Sequence, residues 1–371
     1  MVLLLLACNK DLPDDSGSTG NDLEFVDLGP QTTGDTGFTT DEFAIDVPED
    51  ATSVLVHCGD FGSSKLGLVW TLTNPDGSAL YDGAAGSNPH FKSSSHDDLV
   101  PILIPLTPDA PLQSGSYLAS IYVDGGAAVT LDCGAVIRKS PLGNSADVTL
   151  EFVFVGVDGL DASTAPDDAG MQDVLAEIDR AFATENVSIT ASYSDFGGDV
   201  ATYSVVDVSA DDYSEFNNLL KLADPTDPRT LVVFMVQDFQ TDEGATILGK
   251  AGGPPGTAAV GGTSKSGMVV VASDMASDPV YVGRIAAHEA GHFLGLFHTT
   301  ERDANDTHDP ISDTPECPAS ADTNGNGQMN SSECSGSGSE NVMWWTNNSD
   351  ATSADFSSMQ GQILRGNPIA K

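Results

Sequence analysis

The segment His288–His298, HEAGHFLGLFH, constrains this chain more than any other stretch. His288 and His292 stand four apart, Glu289 follows the first, Gly295 comes three residues after His292, and His298 closes the run. Residues four apart share one helix face, so two imidazoles can grip a single ion. A helix must stop near Gly295 for His298 to swing back, and glycine takes the left-handed turn at little cost. Three neutral imidazoles with a fourth position open are the ligand set of a catalytic zinc ion, whose bound water becomes acidic enough to attack a carbonyl near neutral pH. Glu289, next to the first ligand, is placed to take that water's proton. Val280, Ile285, Ala286, Phe293, Leu294 and Leu296 supply the apolar packing expected around such a helix. The pattern reads as a zinc-dependent peptidase, with a protein or peptide as substrate.

The chain opens MVLLLLACNK, and Leu5-Leu6-Ala7-Cys8 matches a bacterial lipobox. Residues 1–8 are read as the remnant of a lipoprotein signal, with Cys8 the lipidation site and the protein held at the cell envelope or outside the cell. An apolar run this short does not span a bilayer, so the only expected membrane contact is the lipid. Without Cys8, four cysteines remain: Cys58, Cys133, Cys317 and Cys334. An even number in an exported chain suggests disulfides. The spacing favours Cys58–Cys133 and Cys317–Cys334, although the sequence alone allows three pairings. A cysteine that plugs the zinc site of a latent precursor is the rival reading.

Fifty-five acidic against 14 basic residues give a formal charge of −41. Phosphate binding needs clustered Lys and Arg, so nucleic acid is excluded as a partner. The acid is scattered through loops and serves mainly to solvate the surface. A monomer is expected.

The organisation falls into parts. Residues 9–37 are acidic, rich in Gly, Ser and Thr, and read as a flexible tether. From 38 to 140, short alternating runs such as FAIDV, LGLVWTL and SYLASIYV are broken by turn signals such as NPDG, which predicts an all-β, jelly-roll-like sandwich. From 146 to 371 the pattern turns α/β. VTLEFVFVGV is a continuous apolar run suited to a strand buried on both faces. Met171, Val174, Leu175, Ile178, Ala181 and Phe182 recur at helical spacing. Further strands are predicted at VSITASY, TYSVVDV, TLVVFMV and MVVVASD, the last as an edge strand leading into the zinc helix. A twisted mixed sheet with an active-site helix is the expected architecture of this half.

The long motif and this strand–helix order resemble a metzincin metallopeptidase, and within that clan its pappalysin-like branch. Two further segments carry the likeness: Ser312-Asp313-Thr314-Pro315 followed by Cys317, and ENVMWW, in which Met343 stands in an Asn-Val-Met context. The closing FSSMQGQIL is similar to the branch's final helix. The resemblance covers roughly residues 147–368. It implies that Met343 forms the turn beneath the metal. It also marks a departure: a Tyr often found two residues after that Met is here Trp345, which offers only an indole N–H. Stabilisation of the tetrahedral intermediate then falls to the zinc, to backbone donors or to Trp345 itself.

Between Cys317 and Cys334, Asp322-Thr323-Asn324-Gly325-Asn326-Gly327 with Glu333 fits the calcium loop D-x-[DN]-x-[DN]-G-x5-E. Asp322, Asn324, Asn326 and Glu333 are the expected side-chain ligands and Gln328 the carbonyl ligand. Two charged ligands predict weak affinity, and a turn-rich surface loop is the bland alternative. For the peptidase, the edge near Met268–Ala272 is expected to align an extended substrate by backbone pairing. Two rivals stand against it: a surface adhesion or binding protein whose metzincin-like site is weak or inactive, and a zinc hydrolase acting on a non-peptide amide.

Overall fold

The computed structural model describes residues 22–34, 38–59, 61–62, 65–85, 88–125, 127–209, 213–241, 247–346 and 354–371. Cys8 and residues 9–21 lie outside the described residues.

Short strands fill the N-terminal third, some alternating with period two and others buried almost throughout. They are β1 (Leu23–Thr32), β2 (Phe43–Val47), β3 (Ser53–Gly59), β4 (Leu66–Thr73), β5 (Ala79–Asp82), β6 (His96–Asp97), β7 (Leu99–Ile104), β8 (Gly115–Val123) and β9 (Thr130–Arg138). These pair antiparallel in two sheets, one ordered β1-β9-β3-β7 and the other β2-β8-β4-β5, with β6 beside β4. β2 shows the cause most plainly: Phe43, Ile45 and Val47 are buried while Ala44 and Asp46 face out. Cys58 and Cys133 are directly opposed on β3 and β9 and form a disulfide with Cα atoms 4.1 Å apart.

β1 corrects one expectation. Leu23–Thr32 lies inside the stretch read as a tether, yet it pairs with β9 from Leu23↔Arg138 to Thr32↔Thr130. Phe25, Val26 and Leu28 pack against the core, and an irregularity between Asp27 and Gly29 shifts the register. The acidic and Gly/Thr-rich setting hid a short apolar run whose partner lies about a hundred residues away.

From Ala146 the strands become long apolar runs, as a sheet covered on both faces requires. β10 (Ala146–Val155), β11 (Val187–Asp195), β13 (Thr230–Val236), β15 (Gly249–Ala251) and β16 (Gly267–Val271) form one sheet ordered β11-β10-β13-β16-β15, while β12 (Val205–Asp207) and β14 (Asp238–Gln240) pair separately. The pairs β10–β11, β10–β13 and β13–β16 are parallel and β15–β16 is antiparallel. The strand predicted at the sheet edge, Met268–Ala272, is therefore interior. The edge is β15, a three-residue strand inside a Gly/Pro/Ala loop that is too short to show a periodic signal.

The helices are α1 (Ala169–Ala183), α2 (Val200–Tyr203), α3 (Ser214–Leu220), α4 (Pro279–Phe293) and α5 (Ser358–Gly366). α1 and α4 pack together, and Gly283 makes this possible: a Cβ there would lie 2.7 Å from the Val174 carbonyl oxygen. The opposite face of the sheet is covered by Phe216, Leu219 and Leu220 of α3. One hydrophobic cluster is continuous from the N-terminal sheets (Leu55, Ile102, Leu103) to the zinc-motif helix and its exit (Phe293, Leu294, Leu296). A smaller one gathers Met329 and Trp344 around the second disulfide, Cys317–Cys334.

Candidate metal centre

α4 starts where its sequence says it should. Asp278 caps it by accepting from the Tyr281 N–H at 3.0 Å, and Pro279 occupies the first turn, where no amide donor is needed. It stops at Gly295, whose φ of +109° lies in the region that favours glycine. There the Gly295 N–H donates to His292 O at 3.0 Å and the Leu296 N–H to Gly291 O at 2.9 Å, the two bonds of a Schellman ending. The chain then doubles back and delivers His298 to the face that carries His288 and His292.

The three rings converge. One nitrogen from each lies within 4.8 Å of the others, and His292 Nε2 stands 3.1 Å from His298 Nε2. The opposite nitrogen of each ring is held by an acceptor: His288 Nδ1 by Val342 O at 2.7 Å, His292 Nδ1 by Leu296 O at 2.8 Å, and His298 Nδ1 by Glu301 Oε2 at 2.8 Å. A carbonyl or carboxylate oxygen can only accept, so the proton of each neutral ring sits on Nδ1. With all three rings neutral, their Nε2 lone pairs would face one another, and a cation held between them would relieve the repulsion. Burial, with His298 as the next cause, pushes the His288 pKa down to about 3; burial likewise holds His292 well below the usual range. Both are neutral, as metal ligands must be.

Glu289 is buried beside them. Burial pushes its pKa up to about 7, against the opposing pull of the Lys250 ammonium and of a hydrogen bond from the Ala251 N–H. Both residues belong to β15. Gly249, on the same strand, gives the carboxylate its room: a Cβ there would lie 2.8 Å from Glu289 Cγ. The edge strand and the candidate base are thus in direct contact.

Met343 packs against Gly291 from beneath the helix, and its carbonyl accepts from the Thr299 N–H at 3.0 Å. Trp345 does not face the metal centre as a donor. Its indole N–H donates to Met329 O at 3.0 Å. The acidic loop folds on itself: Asp322 accepts from the N–H groups of Gly325 (2.9 Å) and Gly327 (2.8 Å). Asn324 Oδ1 accepts from the Asn326 N–H (3.0 Å), and Asn326 Oδ1 from the Gln328 N–H (2.8 Å). Glu333 Oε1 reaches back to the N–H groups of Thr323 (3.0 Å) and Asn324 (3.2 Å).

Three contributors escaped the sequence reading. Glu301 lies only three residues past His298, close enough in sequence to mark it. The carbonyl of Val342 and the strand β15 leave no residue-type signal.

Residues 235–369 match the family Peptidase_M43: Pregnancy-associated plasma protein-A. No curated protein matches the chain. Among solved structures, it is similar to metalloproteinase-II from Bacteroides fragilis, with 13% identity, a TM-score of 0.33 and coverage of 63% of this chain and 62% of that one. It is also similar to archaemetzincin from Methanopyrus kandleri, with 14% identity, a TM-score of 0.27 and coverage of 62% and 90%. The chain thus spans 62% of the length of the Bacteroides fragilis protein. The family match, which takes in all three histidines and Glu289, supports a zinc metallopeptidase.

Proposed function

We propose that this chain is an exported, surface-anchored zinc endopeptidase of metzincin type. The observation that carries the reading is the convergence of three Nε2 lone pairs, each fixed by an acceptor on Nδ1, next to a buried carboxylate. Zinc, held by His288, His292 and His298, would supply an acidified water and polarise the scissile carbonyl. Glu289 would serve as the base that accepts a proton from the attacking water and returns it to the leaving amine, and its raised pKa suits both halves of the task. β15 is one of the sheet's two edge strands and touches Glu289, so an extended peptide paired along it would lie beside the base. Substrate alignment would then fall at Gly249–Ala251, one strand outward from the segment expected from sequence.

The rest of the proposal concerns the surroundings. Residues 23–138 act as a sandwich-like accessory domain. Cys8 carries the lipid that tethers the chain to a bacterial envelope. Asp322, Asn324, Asn326, Gln328 and Glu333 bind calcium weakly, which would stiffen the loop beside Trp345. The test is metal analysis of the purified chain together with cleavage of a denatured protein substrate. One equivalent of zinc, activity lost to a chelator and regained with zinc, supports the reading. One equivalent of zinc with no hydrolysis supports an inactive binding protein instead.

A further inference from the structure

The turn that carries the third histidine is gripped by the N-terminal sheets. Leu103 on β7 fills the space beside Gly295, where a Cβ would lie 2.5 Å from Leu103 Cδ2. Lys92, in the stretch leading to β6, holds its ammonium 5.3 Å from the centre of the Phe297 ring and 2.7 Å from Glu301 Oε1. The other oxygen of Glu301 accepts from His298 Nδ1. A few residues further on, Asp97 pairs with Lys265 at 2.7 Å and Asp98 with Lys221 at 2.7 Å, so the segment that presents Lys92 is pinned to the α/β half.

His298 differs from its two partners in how it is oriented. His288 and His292 lean on backbone carbonyls, which are fixed by the fold. His298 leans on a side chain that is one-third exposed and would swing freely unless its second oxygen were held. The group that holds it comes from outside the α/β half.

We propose that Lys92 and Glu301 are positioning residues of the metal centre, which makes the N-terminal sheets a working part of that centre and not a dispensable attachment. The inference rests on the reading of the three histidines as a zinc site. Glu301 fixes the ring plane and the tautomer of His298 and makes its Nε2 a stronger donor, and Lys92 fixes Glu301. Changes to such outer partners typically cost about 10- to 100-fold in metal affinity.

The test is zinc affinity of the full chain, measured by competition with a chromogenic chelator. Lys92→Met keeps the apolar stem over Phe297 and removes the charge. It is expected to weaken zinc binding by roughly tenfold or more. Lys92→Arg is expected to recover most of that loss, and Glu301→Gln to lose at least as much. Lys139→Met, which removes an exposed ion pair with Glu24 elsewhere in the same sheets, should leave affinity unchanged. Cobalt substitution adds a second readout, since a reoriented ligand alters the visible absorption bands. Zinc affinity of Lys92→Met within twofold of the parent overturns the inference. If Lys92→Met does not fold, Glu301→Gln decides in the same way. A parent chain that binds no zinc fails the metallopeptidase reading itself, a result distinct from tight binding in both parent and variant.

Discussion

Met343 Sδ occupies the place where any side chain on Gly291 would sit. Gly291 lies on α4 between the first two histidines, and Met343 is fully buried. The neighbours of that sulfur are tied to the histidines: Val342 O holds His288, and Met343 O holds the chain just after His298. Gly291→Ala should therefore push Met343 down and loosen two ligands at once. Overpacking of this kind costs about 1–3 kcal/mol. Urea unfolding should show that loss, and chelator competition a weaker zinc site; parental values for both would contradict the contact.

The junction between the two halves rests on a buried ion pair. Lys265 Nζ lies 2.7 Å from Asp97 Oδ1, and the two residues are 4% and 8% exposed. Removing one partner strands the other charge in a dry setting, which costs about 3–5 kcal/mol. Lys265→Met is expected to lower the unfolding free energy by that order, with the double variant Asp97→Asn/Lys265→Met recovering part of it. Chemical denaturation of both variants is the check.

His96 sits at the same junction and gives it a pH dependence. Burial, then the Lys265 and Lys250 ammonium groups, push its pKa down to about 3, against Asp97 and the Pro254 carbonyl. Its ring also meets Ser94 Oγ at 3.0 Å. In the unfolded chain the pKa returns to about 6.5. Between these values the unfolded state binds more protons, so stability rises with pH across the window and is lost on acidification. His96→Gln should flatten that slope in urea midpoints taken between pH 4 and pH 7 (about the span of the window); an unchanged slope would assign the acid sensitivity elsewhere.

The acidic loop makes a separate prediction. Calcium at roughly 1–10 mM, the range suited to weak extracellular loops, should raise the melting temperature of the parent chain. Glu333→Gln removes the carboxylate that reaches back to Thr323 and Asn324, and should abolish the shift while leaving zinc content unchanged. An equal shift in parent and variant would count against this loop as the calcium site.

What could be read from the sequence was local. His288 and His292 share a helix face by spacing alone, and Gly295 announces the turn that returns His298. The pairings Cys58–Cys133 and Cys317–Cys334 follow spacing as well. What escaped depends on distant pairing. β1 finds its partner in β9, so its apolar residues carry meaning only once β9 is in place. β15 covers β16 with three residues, two of them small, which no periodicity reveals. The step from Lys92 to Glu301 crosses 209 positions, and neither residue type stands out on a chain with 55 acidic residues.

If Glu289 acts as the base of a zinc-dependent hydrolysis, replacing it removes the chemistry and leaves the metal in place. Glu289→Ala should retain one equivalent of zinc, because the three histidines are untouched. Cleavage of a denatured protein should fall by roughly 10²- to 10⁴-fold, the usual contribution of a positioned general base. Full zinc occupancy with cleavage near the parental rate would contradict the account.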